Sequence, residues 1–229
     1  MTKIPLILIP GLASDSGLWE AQLNDLADIA EMQVGDTLQD DSLPAMAKRI
    51  LSAAPAQFAL AGLSMGGYVA LEIMRQAPAR VSRLALLDTS ARADSEEQTA
   101  NRKAAIDAVG RLHYLTLSKT SVSSLVAEEA SDEVRKAVVD MAMRVGPEIY
   151  VRQQKAIMQR CDSRADLVDY DLPVMVVVGE QDQLTPPDIA QEMANLISGA
   201  TLRHVAGSGH LPPMEKPQAI NALMREWLG

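Results

Sequence analysis

Gln57-Phe-Ala-Leu-Ala-Gly-Leu-Ser64-Met-Gly-Gly-Tyr-Val-Ala-Leu-Glu-Ile-Met-Arg-Gln76 is the stretch that decides the fold. Its first residues form a short apolar run of strand length. Its last part is apolar at helical spacing, through Val69, Leu71, Ile73 and Met74 with Ala70 among them. Between the two, Gly62-Leu63-Ser64-Met65-Gly66 matches G-x-S-x-G, and Gly67 follows. A strand that turns sharply into a helix leaves its corner residue strained and exposed. Glycines two before and two after the corner let the backbones pass without Cβ clashes. The helix N-terminus directly behind Ser64 favours negative charge near its oxygen.

Upstream, Ile4 to Ile9 is a continuous apolar run, as expected of a strand buried on both faces. A loop from Pro10 to Gly17 follows. A helix is predicted from near Ser16, with Leu18, Trp19, Leu23 and Leu26 facing inward. Met32 to Val34 reads as a short strand, and Leu43 to Ala54 as a helix ended by Pro55. Downstream, Ala77-Pro78 stops the helix behind Ser64, and Arg83 to Leu87 forms a strand closing on Asp88. Strand and helix alternate throughout this part. The pattern predicts an α/β fold, a mostly parallel twisted sheet with helices on both faces.

The alternation then stops. No strand is predicted from Ala91 to Asp169. Ile106, Val109 and Leu112 share one helical face, and Val134, Val138, Met141 and Val145 share another, opened by Ser131-Asp132-Glu133 as cap and acidic first turn. Gly146-Pro147 breaks that helix, and Tyr150 to Met158 reads as the next. Residues 91–169 are therefore expected to form an all-helical insertion into a core of residues 1–90 and 170–229. The β/α pattern resumes with a strand at Pro173–Gly179, a helix near Asp188–Ile197, a strand at Thr201–Val205 and a last helix at Pro217–Leu228.

Composition narrows the partners. The 229 residues suffice for one large domain or a core with an insertion. A net charge of -9 argues against nucleic acid or an anionic membrane surface. The run Ile4–Ile9 is too short to span a membrane and lacks the features of a signal peptide. Cys161 is the single cysteine, so no intrachain disulfide can form, which suits a reducing cytoplasm. It is expected to be a buried or partly buried thiol in an insertion helix. There is no H-E-x-x-H, no paired cysteine spacing, no G-x-G-x-x-G and no G-x-x-x-x-G-K, so neither a metal nor an organic cofactor is expected.

In a parallel α/β sheet, functional groups gather at the carboxyl ends of the strands. Four reactive residues fall there: Ser64, Asp88, Asp182 and His210. A serine hydroxyl is a poor nucleophile at neutral pH. It needs a base, and the base needs an acid to fix its tautomer. The order Ser, Asp, His meets that need. Asp182 stands in Gly-x-x-Asp-x-x-x-Pro, and Asp88 is its rival for the role of acid.

These residues carry a resemblance. The chain resembles an α/β-hydrolase of the esterase, lipase and lactonase kind over its whole length except the insertion, which sits where such enzymes carry a cap or lid. Ser64 matches the nucleophile-elbow serine. Asp182 matches the triad acid, and His210, in Gly-x-Gly-His, matches the base. Pro10-Gly11-Leu12 matches a loop that usually reads His-Gly-x, with Pro10 in place of the histidine. The resemblance implies an oxyanion hole of the Leu12 and Met65 backbone N–H groups, donors worth roughly 10²–10³ in rate each.

It also implies a serine hydrolase that cleaves a small or medium carboxylic ester, thioester or lactone through an acyl-enzyme on Ser64. The partner is then a small-molecule acyl substrate. The alternatives are cofactor-free perhydrolysis of the haloperoxidase kind, a non-hydrolytic reaction at the same residues, or ligand binding on a hydrolase scaffold. With aromatic residues at only 3% of the chain, an aliphatic pocket is expected. Its candidates are Trp19, Met141, Met158 and Leu211. Trp19 has packing of its helix onto the sheet as its ordinary role.

Overall fold

Every apolar run expected to form a strand does so in the computed structural model, which describes residues 3–111 and 113–229. Leu112, assigned above to a helical face, lies outside the described residues. The first half runs β1 (Ile4–Ile9), a 3₁₀ turn at Ser16–Trp19 leading into α1 (Glu20–Asp25), β2 (Ala30–Val34), α2 (Leu43–Ala53), β3 (Phe58–Leu63), α3 (Met65–Gln76) and β4 (Val81–Leu87). Then come α4 (Glu96–Arg111), α5 (Tyr114–Leu125), α6 (Asp132–Val145), α7 (Pro147–Met158) and α8 (Arg164–Leu167). The chain closes with β5 (Val174–Gly179), α9 (Pro187–Leu196), β6 (Thr201–Val205), α10 (Pro212–Glu215) and α11 (Pro217–Leu228).

The strands form one 6-stranded parallel sheet in the order β2-β1-β3-β4-β5-β6. Successive side chains of a strand point to opposite faces. Ile7, Ile9, Leu60, Leu86 and Val176 accordingly pack against Met46, Ile73 and Met193 from α2, α3 and α9. Leu6, Leu8, Ala61, Leu87 and Val177 join Trp19 with Ile220 and Met224 from α11 on the other face. A core on both faces explains why the central strands read as unbroken apolar runs, while the edge strands β2 and β6 carry exposed residues.

The β3–α3 corner is the tightest part of the fold. Ser64 is held at φ 54 and ψ -116, in the left-handed region that a non-glycine residue rarely occupies. The flanking glycines are there for space. A Cβ on Gly62 would stand 2.3 Å from the Gly66 carbonyl oxygen, and one on Gly66 would stand 2.2 Å from that of Ile9. Both obstacles are backbone and cannot swing aside. Gly66→Ala is therefore expected to cost about 4 kcal/mol or more, read as a collapse of the thermal unfolding midpoint.

The helices α4–α8 stand between β4 and β5, and no strand occurs among the described residues there. Ser131 caps α6 by accepting from the Val134 N–H. Gly146, at φ 84, ends α6, and Pro147 opens α7, three residues before the predicted start at Tyr150. This segment is tied to the sheet's loops. Arg144 makes two bonds to Asp15, at 2.7 and 3.0 Å, and Gln153 Oε1 accepts from the Ala13 N–H at 2.9 Å. Two expectations need correction. Cys161 is exposed, in the turn after α7 and not within a helix. Trp19, offered as a pocket candidate, is 0% exposed and fills the core beside α11, in the packing role that its inward-facing position predicted. None of the described helices is long and apolar enough to cross a membrane.

Candidate active site

Three strand ends bring the predicted reactive residues together. Ser64 follows β3 directly. Its N–H donates to the Leu87 carbonyl at 3.0 Å, and its own carbonyl accepts from Thr89 Oγ1 at 2.7 Å, so β4 braces the corner. Asp182 follows β5, where its Oδ1 accepts from the N–H groups of Leu184 at 2.8 Å and Thr185 at 3.2 Å. Its Oδ2 takes Thr185 Oγ1 at 2.7 Å and His210 Nδ1 at 2.8 Å. His210 follows β6, is 3% exposed, and donates its backbone N–H to the Leu125 carbonyl at 2.9 Å.

The loop carrying His210 is organised by Glu215, which the motif reading did not single out as a site residue. One carboxylate oxygen takes Ser208 Oγ at 3.1 Å and the Leu211 N–H at 3.0 Å; the other takes the N–H groups of Ala127 at 2.7 Å and Gly209 at 3.0 Å. A carboxylate offers acceptors only, whereas an amide turns an NH₂ toward two of these donors. Glu215→Gln is expected to lower stability by about 2–3 kcal/mol, checked by thermal unfolding. His204, the other histidine of this region, is paired in β6 opposite Val178 and points away as an exposed residue.

The rival acid is close by and in a different state. Asp88, at the end of β4, is buried, with its Oδ1 accepting from the Gly179 N–H at 2.8 Å and no partner for Oδ2 among the described residues. Acceptor atoms of Asp88, Asp182 and His210 all lie within 4.8 Å of one another. Burial, and then the negative charge of Asp182, push the Asp88 carboxyl well above its ordinary range. Burial also pushes Asp182 up, but the His210 ring and the Thr185 and Leu184 donors outweigh it and leave Asp182 well below that range. The two neighbouring acids are thereby pushed apart, Asp182 toward the carboxylate and Asp88 toward the neutral acid. The hydrogen bond to the histidine belongs to the carboxylate.

Ser64 and His210 line one cavity of about 920 Å³. No hydrogen bond joins Ser64 Oγ to His210 among the described residues; such bonds are often long without substrate and tighten when it binds. The Leu12 and Met65 N–H groups take part in no turn or loop hydrogen bond of the described residues. Met65 is the first residue of α3, so its N–H has no helical partner. The Gly11 loop passes the corner closely enough that a Cβ there would stand 3.5 Å from Ser64 Cβ.

Met141 and Leu211 line the cavity, whereas Met158 and Trp19 do not. Met158 ends α7 half-buried, and Ile157 takes the lining position beside it; Trp19 belongs to the core. The lining is also less aliphatic than expected. Tyr68, Tyr114 and Tyr150 reach it, as do Arg102, Arg160 and Asp94. A low overall aromatic content says nothing of where the few rings gather.

Comparison with known proteins places this geometry. A family model described as alpha/beta hydrolase fold matches residues 29–217. The chain is 26% identical over 231 residues to the pimeloyl-[acyl-carrier protein] methyl ester esterase of Nitrosomonas europaea, spanning 93% of this chain and 91% of that protein. It is 23% identical over 240 residues to the biotin biosynthesis bifunctional protein of Cellvibrio japonicus, of whose length it spans 48%. Among solved structures, a thermophilic esterase from Thermogutta terrifontis is 30% identical with a TM-score of 0.90, covering 99% of this chain and 90% of that one. The enol-lactonase of Burkholderia xenovorans shares the fold at a TM-score of 0.88 and 19% identity, with 100% and 92% covered.

Proposed function

The chain belongs to the alpha/beta hydrolase fold family, and from that premise we propose that it is a serine hydrolase cleaving a small or medium carboxylic ester, thioester or lactone. One observation carries the reading. Ser64 sits strained on its corner in the same cavity as His210, whose Nδ1 is held by an ionised Asp182. Binding alone needs none of this. The esterase names of the relatives by sequence support the same reaction class.

In this mechanism Ser64 Oγ attacks the acyl carbonyl while His210 Nε2 takes its proton. The N–H groups of Leu12 and Met65 receive the oxyanion. His210 then protonates the leaving group and activates water against the acyl-enzyme. Asp182, accepting from Nδ1, keeps Nε2 free as the base. Residues 91–169 serve as the lid, since α4–α7 contribute Arg102, Tyr114, Met141 and Tyr150 to the cavity lining. The unpaired, exposed Cys161 suits a reducing cytoplasm.

A fluorophosphonate probe tests the proposal. It is expected to label the wild-type protein and to spare Ser64→Ala. Folded wild-type protein that stayed unlabelled and cleaved no p-nitrophenyl ester from acetate to octanoate would overturn it.

A further inference from the structure

The cavity carries a charge cluster that ester cleavage itself does not use. Arg102 on α4 and Arg160, just past α7, bond the same carboxylate. Arg102 Nε donates to Asp94 Oδ2 at 2.7 Å, and Arg160 Nη1 donates to Asp94 Oδ1. All three residues line the cavity. Their side chains are 20% exposed for Arg102, 5% for Arg160 and 2% for Asp94. Two guanidinium groups sharing one carboxylate leave one positive charge in excess. Arg92 and Arg164, also on the lining, are engaged instead by Glu192 and Asp162, and Glu97 there is exposed to solvent. A buried charge without a counter-charge is costly, and a bound anion removes that cost.

The spare donors agree with this. Arg102 gives Nη1 to Gln154 Oε1 at 2.8 Å. Arg160 gives Nε to the Arg92 carbonyl at 2.9 Å, and its Nη1 also reaches that of Ile157 at 3.4 Å. Neither Nη2 bonds a protein group among the described residues, and neither is sealed from open space. The Tyr114 hydroxyl, on the same lining, is buried with no partner among the described residues. The Arg160 guanidinium lies over the Tyr68 ring, 4.3 Å from its centroid. Tyr68 is one helical turn past Ser64, about 6 Å along the axis. Arg102, Arg160 and Ser64 line the same cavity, so an acyl group on Ser64 would share its space with these donors.

We propose that Arg102 and Arg160 form an anion subsite, and that the ester cleaved at Ser64 carries a carboxylate at its far end, as does the monoester of a dicarboxylic acid. The inference rests on Ser64 as nucleophile. A planar carboxylate meets the two guanidinium forks at Nη2, and Asp94 holds those forks in place. An arginine pair serving only to tether α4 and α7 to Asp94 would leave selectivity indifferent to substrate charge.

The experiment compares methyl monoesters of the dicarboxylic acids from succinate to suberate with neutral methyl esters of matched chain length. At one chain length, wild-type kcat/KM is expected to favour the charged ester by about tenfold or more, mostly through KM. In Arg102→Met the ratio falls toward one, and Arg102→Lys restores part of it. Equal kcat/KM for charged and neutral esters at every length would overturn the subsite and leave the esterase reading standing. So would a preference unchanged in folded Arg102→Met. If no ester is cleaved and the fluorophosphonate probe misses Ser64, the esterase reading fails. The subsite is then read by binding: glutarate and adipate should raise the wild-type unfolding midpoint and not that of Arg102→Met, while the matching diamides should do neither. No shift with the dicarboxylates would overturn it.

Discussion

Ser64→Ala is expected to lower kcat for ester hydrolysis by about 10⁶-fold and to leave the fold intact. The loss is large because the covalent route disappears with Oγ. What remains is water attack assisted by the oxyanion donors and by binding. The fold should survive because Ser64 Oγ makes no hydrogen bond among the described residues, and the corner is held through backbone groups and Thr89. Alanine also meets the same strain at φ 54 as serine does. Steady-state kinetics beside a thermal melt checks both halves. Activity within tenfold of wild type in a folded Ser64→Ala would mean that this hydroxyl is not the nucleophile.

Asp182→Asn is expected to lower kcat by about 10⁴-fold, whereas Asp88→Asn should stay within a few-fold of wild type. Asparagine at 182 turns an NH₂ toward His210 Nδ1 and so favours the tautomer whose Nε2 carries the proton. That ring cannot act as base. At 88 the same exchange is mild, because burial and the nearby Asp182 already favour the neutral form of Asp88. An equal loss in both variants would make the two acids a single functional unit.

The same pair gives a pH prediction of definite sign. Folded Asp88 keeps its proton above the value, about 3.9, at which an unfolded chain releases it. Over that interval the unfolded state binds fewer protons, so stability falls as pH rises. Asp182 runs oppositely: its depressed value contributes stability above the unfolded value and loses it as pH falls. Asp88→Asn removes the first effect alone. Its unfolding midpoint should gain on the wild type as pH rises above about 4, and parallel curves would show that Asp88 is ionised in the folded protein.

Much of the fold was legible because its signals are local. An apolar run of strand length, a glycine on either side of Ser64 and a proline after a helix act within a few residues of themselves. All six strands lie within two residues of where those signals put them. The order of Ser64, Asp182 and His210 could also be read, because each follows a recognisable strand in a parallel sheet whose carboxyl ends share one side.

What tertiary structure alone decided is which of these residues meet. β4 and β5 are neighbours, so Asp88 and Asp182 arrive at nearly the same point, and in the chain only the Gly-x-x-Asp-x-x-x-Pro setting of Asp182 told them apart. The structure adds the 2.8 Å bond from His210 to Asp182 and a burial that favours the neutral form of Asp88. Trp19 went to the core and Tyr68, Tyr114 and Tyr150 to the cavity for a similar reason: helical periodicity marks an inward face but not what that face meets. The sharing of Asp94 by Arg102 and Arg160 joins residues 8 and 66 positions away from it, through helices whose packing no local pattern encodes. Local chemistry determined the elements and the reactive groups they carry; long-range packing determined which groups share a proton, a charge or a wall of the cavity.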